Sequence, residues 1–310
     1  MSTASRLFAG LIDDAAVFPP RGAGLEVAVR EHLALRSGLH ADRIGPLLVP
    51  AGDAAAVVAL AAADARTDPD GIDAGPLELG LIVRPGAPTA PLREGARALE
   101  ETTRVRLSSI ETGWSPQWRD LLDLGVPLAI EVGLGADQEK ALDDLADARD
   151  QEGVAVLAKF RTGATPLWDW PDEGVLAGFL AGAVARGLTV KLTGGLHHLV
   201  RADRAARDVR VDRADRDVAD REPMHGVLNV LLAVDAALAG ADRASVAGIL
   251  ALDASATVLE LTLGLVARPE DVARARATFV SYGCCDVLDP LTEAIDLGLL
   301  PRPTTTGDPA

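Results

Sequence analysis

With 310 residues, 48% of them hydrophobic and 25% charged, the chain has material for a sizeable core and no bias toward disorder. A net charge of -16, with no uncompensated Lys/Arg cluster, excludes a nucleic-acid partner, since phosphate neutralisation needs a basic face. Cys284 and Cys285 are the whole cysteine complement and are adjacent, which rules out an ordinary disulfide framework and predicts a reducing, cytoplasmic setting.

In chain order, short β-branched or Leu-rich runs alternate with Ala/Leu/Arg/Asp segments of helical spacing. The amino end is polar through Ser5 and acidic by Asp13, so no export signal is expected there. Strands are predicted at 7–12, 44–49, 77–83, 105–110, 127–132, 154–160, 189–193 and 278–282. Helices are predicted at 25–36, 54–65, 91–101, 116–124, 138–148, 173–186, 227–239 and 291–297. Stop and start residues support the assignment: Ser115 precedes one helix, and Gly38, Gly125, Gly187 and Gly240 follow others. Residues 227–239 and the other apolar runs are too short and interrupted to span a bilayer, so no membrane partner is expected.

Eight strands alternating with eight helices predict an α/β fold, a (β/α)8 TIM-like barrel forming one domain over residues 1–300, with a doubly wound open sheet as the alternative. Two features interrupt the alternation between strands seven and eight. Residues 201–222 alternate Arg and Asp and read as a solvated loop, with a lid over the barrel mouth as the other reading. Residues 243–265 read as an extra helix. The Pro/Thr-rich tail, 301–310, is expected to be disordered.

In such barrels chemistry gathers at the carboxyl ends of the strands. The polar residues placed there are Asp13, Asp14, Arg84, Glu111, Glu131, Lys159, Arg161, Lys191, His197, His198, Cys284 and Asp286. Of 30 basic residues only Lys140, Lys159 and Lys191 are lysines, leaving 27 arginines. A chain that writes Arg almost everywhere needs Lys where the amine itself matters, because only Lys can lose its proton and form an imine. Lys159 and Lys191 fall at the ends of strands six and seven, close enough for mutual repulsion to lower one pKa. Structural pairing of these lysines with Glu111 or Glu131 is the bland alternative.

Lys159 with Thr162 and Gly163, and Lys191 with Thr193, Gly194 and Gly195, resemble the KxxTG and KxSGG segments of class I aldolases of the deoxyribose-phosphate aldolase type. The resemblance implies Lys159 as the imine former, Lys191 as its electrostatic partner, and a small anionic carbonyl substrate, phosphorylated or not. It departs from the family after strand three, where Arg84 and Pro85 stand in place of a proton-transferring Asp, and in the roughly 80 residues between strands seven and eight. LIDDAAVFPP, KFRTG, GLHH, MHGVLNVLL and YGCCDVLDP together resemble a bacterial barrel family to which no activity attaches.

Gly194 and Gly195, with Gly283 after strand eight and Arg161 beside them, suit anion binding on backbone N–H groups. His197, Glu131 and Glu111 are the candidate proton carriers. No cofactor is expected, and self-association is left open. Two other functions fit the same residues: a metal-dependent hydrolase or isomerase using His197, His225 and Asp14, and a non-catalytic small-anion-binding barrel. The two cysteines are expected to pack as small hydrophobes.

Overall fold

The Ser2 hydroxyl accepts the backbone N–H of Ser5 and starts a helix, α1 (Thr3–Phe8), where the sequence predicts a strand over 7–12. Leu7 and Phe8 share the buried face of that turn, and the apolar run divides between a helix and a later, shorter strand, β1 (Ile12–Asp14). The computed structural model describes residues 2–64, 75–164, 169–203 and 223–302.

Beyond β1 the elements alternate: α2 (Leu25–Arg36), β2 (Ile44–Pro50), α3 (Ala54–Ala63), β3 (Leu77–Ile82), α4 (Ala90–Glu100), β4 (Val105–Gly113) and β5 (Leu128–Glu131). They continue as α5 (Asp137–Glu152), β6 (Val156–Arg161), α6 (Glu173–Ala185) and β7 (Thr189–Thr193). Two-residue strands β8 (Ala202–Asp203) and β9 (Pro223–Met224) pair antiparallel outside the barrel. The chain then runs through α7 (Val227–Leu238), α8 (Arg243–Leu250), α9 (Ser255–Val266), α10 (Pro269–Thr278), β10 (Phe279–Cys284) and α11 (Leu288–Asp296).

The eight long strands close in the order β1-β10-β7-β6-β5-β4-β3-β2, every pair parallel, so the predicted (β/α)8 barrel is the fold. Alternation sends one set of side chains outward: Phe160 stacks on Phe179 of α6, and Leu81 lies under Gly95 of α4. The main apolar core is therefore the layer between strands and helices.

Three expectations need correction. Between β4 and β5 the helix predicted at 116–124 is a 3-10 helix, Trp118–Leu124; the indole N–H groups of Trp114 and Trp118 both donate to Asp144 of α5 and fix it there. The insertion predicted as one helix over 243–265 is two, α8 and α9, and is followed by α10, which the prediction missed despite its Pro269 start and the acidic first-turn residues Glu270 and Asp271. Gly283 lies inside β10 rather than after it, in register with Asp13 and Thr193. Residues 204–222, most of the Arg/Asp stretch, and 303–310 of the tail lie outside the described residues. Among the described residues no helix is long and apolar enough to cross a membrane.

Candidate active site inside the barrel

Parallel register decides which side chains meet. Glu131 pairs with Lys159, Lys159 with Lys191, and Lys191 with Ser281, so four neighbouring strands present these residues at one level. From β4 and β1, Glu111 and Asp13 reach the same level. The Lys159 ammonium lies 2.8 Å from Glu111 Oε2 and 3.0 Å from Glu131 Oε2. The Lys191 ammonium lies 2.5 Å from Glu111 Oε1 and 2.5 Å from Asp13 Oδ2, to which the Ser281 hydroxyl also donates at 2.7 Å. Arg161 Nε reaches Glu131 Oε1 at 3.2 Å.

These contacts form one line: Ser281, Asp13, Lys191, Glu111, Lys159, Glu131, Arg161. Three carboxylates alternate with three cations, and such alternation is what allows charge to be buried at all. Lys159 is 2% exposed, Lys191 3% and Glu111 0%, whereas the Arg161 side chain retains 31% at the carboxyl end of β6. Small residues make the room. An added Cβ at Gly45 would sit 1.9 Å from Asp13 Oδ1, and one at Gly80 2.5 Å from Leu48 Cδ2, the side chain that crosses the interior toward Gly283.

The electrostatics differ from the expectation of two mutually repelling amines. Glu111 stands between the lysines and serves both. Burial alone would raise its pKa, but Lys159 and Lys191 outweigh burial and lower it to about 2. Burial alone would lower the Lys191 pKa; the Asp13 and Glu111 carboxylates more than reverse this and hold the ammonium charged. At Asp13 burial wins over Lys191 and Ser281, so this carboxyl is raised. At Glu131 burial is overcome by Lys159 and Arg161, and the carboxyl is lowered.

The remaining predicted residues lie around this line. Gly194 and Gly195 take positive φ, 70° and 77°, and an added Cβ at Gly195 would meet Trp170 at 2.4 Å. Trp170 Nε1 is buried with no hydrogen-bond partner among the described residues, and it is the six-membered ring of Trp170 that faces Gly195. Gly163 abuts the same pair: an added Cβ there would lie 3.3 Å from Gly194 C and Gly195 N. Gly283 faces the interior, where an added Cβ would touch Leu48 and Thr193 at 3.4 Å, so it makes space rather than an anion-binding turn.

His197 Nδ1 lies 3.6 Å from Cys285 Sγ and 3.9 Å from Cys284 Sγ, outside the ion line. Burial pushes the Cys285 thiol up to about 11 and raises Cys284 well above the ordinary thiol value, which fits their expected packing role. His198 instead engages Glu293 of α11 at 2.7 Å. The metal alternative's donors do not converge. Asp14 points away from Asp13 and accepts from His32 Nδ1 of α2 at 3.0 Å, while His225 Nε2 donates to the Pro171 carbonyl at 2.8 Å. Among the described residues no group of three or more His, Cys, Asp or Glu side chains is arranged to hold a metal ion.

Sequence reasoning placed Lys159, Lys191, Glu111, Glu131 and Arg161 at one end of the sheet, where the structure brings them together, but gave no distinct role to Asp13 and did not single out Ser281. Alternation could have signalled both, since Asp13 and Asp14 must face opposite sides of β1 and Ser281 faces inward from β10. Comparison of the chain with protein-family models, with curated proteins and with solved structures gave no match.

Proposed function

We propose that the barrel interior performs lyase chemistry of the class I aldolase type on a small anionic carbonyl compound, with Lys159 as the amine that forms the imine. The observation that carries this reading is the in-register pair of buried lysines sharing the Glu111 carboxylate. Lys191, held charged by two carboxylates, is the fixed cation; Lys159, next to Glu131, has an adjacent proton acceptor.

Activation here proceeds by proton transfer rather than by repulsion. Lys159 passes a proton to Glu131 as the carbonyl approaches, and the free amine adds to the carbonyl carbon. Glu131 returns that proton to the hydroxyl, which leaves as water and gives the iminium. Cleavage of the adjacent carbon–carbon bond sends its electron pair into the iminium as Glu131 takes the proton of the hydroxyl that becomes the departing carbonyl, the proton it then returns to the enamine. Protonation of the resulting enamine and hydrolysis of the imine then release the second product and restore Lys159. Arg161, the exposed end of the line, with the Gly194–Gly195 turn, supplies donors for the substrate's anionic group.

Borohydride reduction in the presence of glyoxylate, pyruvate or glyceraldehyde 3-phosphate, followed by peptide mass mapping, tests the imine. The expected result is a reduced adduct on the Lys159 peptide that Lys159→Met abolishes. A folded protein giving no adduct at Lys159 with any of these probes overturns the proposal.

A further inference from the structure

The ion line has a second opening. A cavity of about 230 Å³ is lined by Gly10, Pro127, Leu157 and Val280, each within two positions of the residue that starts its strand, so it lies at the amino end of the barrel, opposite Arg161. Its lining includes Asp13, Lys191 and Ser281, and its volume is far above the roughly 15 Å³ that one water needs. Barrel interiors are ordinarily filled by bulky branched side chains at this level. Here Ala129, Ser108 and Ser109 stand instead, and the Ser109 hydroxyl is buried with no hydrogen-bond partner among the described residues. The bonds that Lys191 and Ser281 donate to Asp13 both fall on Oδ2 and leave Oδ1 to other donors.

We infer that water in this amino-end cavity exchanges protons with Asp13, and that Asp13 passes them through Lys191 to Glu111, so that the line is reset from the floor of the barrel while its mouth is occupied. The net step moves one proton and no electron pair. Lys191 first gives a proton to Glu111 and then, as the neutral amine, takes the proton of protonated Asp13; the ammonium is restored, and Asp13 recovers its proton from water. Asp13 is thus a positioning and relay residue that need not touch substrate.

The groups facing Asp13 are consistent with this. Lys191 of β7 and Ser281 of β10 bond it, Glu111 of β4 acts on it at longer range, and so does Arg276 of α10, whose guanidinium is tied to the carbonyls of Ala9 and Val280. Burial raises Asp13 and the lysines lower Glu111, so of the two carboxyls Asp13, at the cavity end, binds a proton more readily.

The role in turnover rests on the imine reading, but the spectroscopic and labelling tests do not. Infrared spectroscopy of the full chain should show a protonated-carboxyl band, lost in Asp13→Asn, whose titration lies above the ordinary aspartate range. That band should exchange rapidly with D2O in the wild type and slow by about tenfold or more when Ala129→Leu or Leu157→Phe fills the cavity. In Ser109→Cys, methyl methanethiosulfonate should label the introduced thiol, and Ala129→Leu should block the labelling. The inference is overturned if the Asp13 band titrates in the ordinary range, if neither filling substitution slows exchange, or if the thiol introduced by Ser109→Cys stays unlabelled in the native protein. A missing borohydride adduct at Lys159 would leave these outcomes untouched.

Discussion

Glu111 Oε1 lies 2.5 Å from Lys191 Nζ although β4 and β7 share no hydrogen bond, being separated in the barrel by β5 and β6. The pair is therefore an interaction across the interior rather than along the sheet. With its other oxygen on Lys159, Glu111 is the group on which the charge balance of the interior turns.

Replacing Glu111 by Gln should be among the most destabilising single changes in the chain. It leaves two buried ammonium groups short of their common carboxylate, and loss of one partner of a buried pair costs about 3–5 kcal/mol. Denaturant unfolding of Glu111→Gln, Lys191→Met and the double variant measures this. The double variant should be less unstable than the sum of the singles, with a coupling of roughly 1–3 kcal/mol. Additive losses would mean that the contact is not made.

Acid should act on Glu111 and Asp13 with opposite sign. Glu111, held near 2 against an ordinary 4.5, favours the folded form above pH 4.5, and this contribution, about 3 kcal/mol, is lost as pH falls from 4.5 to 2. Asp13 is raised, so its proton favours the folded form at low pH, and that contribution disappears as pH rises through its folded value. Unfolding free energies measured from pH 2 to 6 should accordingly have a shallower acid slope in Glu111→Gln and a steeper one in Asp13→Asn.

Gly45→Ala should disturb the interior from a position that carries no polar side chain. Its methyl would overlap Asp13 Oδ1 at 1.9 Å and crowd Asp13 Cγ at 3.1 Å, an overpacking that costs roughly 1–3 kcal/mol. Gly52→Ala, where nothing lies within 4 Å, is the matched control and should change stability by no more than about 0.5 kcal/mol. Equal effects at the two positions would contradict the placement of Asp13.

Asp14→Ala should separate the two adjacent acids by function. It strips the buried His32 Nδ1–H of its acceptor, at a cost of about 1–3 kcal/mol, yet lies outside the ion line. Thermal unfolding should register the loss, whereas the yield of borohydride adduct on Lys159 should match the wild type.

The alternation of strands and helices was legible because each element is short, periodic and punctuated by Gly or a capping residue; α2 begins and ends where its spacing predicts. Leu7 to Leu11 misled because apolar residues at 7, 8 and 11 fit one helical turn as well as a strand, and the Ser2 cap decides between them. The rarity of lysine located the interior line, since Lys159 and Lys191 are the lysines that enter it. What the sequence could not convey was the third dimension of that line. That Glu111 would stand between the lysines, screening the repulsion expected of them, depends on how far β4 reaches across the barrel, which no local spacing encodes. For the same reason Asp13 was not distinguished from Asp14 until opposite faces of β1 were assigned to them.

Asp13 and Lys191 are 178 residues apart in the chain, and Ser281, which completes their cluster, is 268 from Asp13. The strand bearing Ser281 is also the one that joins β1 to β7 and closes the ring. A nascent polypeptide still lacking this last strand would hold an open sheet with wet lysines and carboxylates along its seam. Dehydration of those charges and completion of the cylinder thus fall at the same late moment in synthesis, and premature termination ahead of Phe279 would yield a product that chaperones should retain rather than a smaller working barrel.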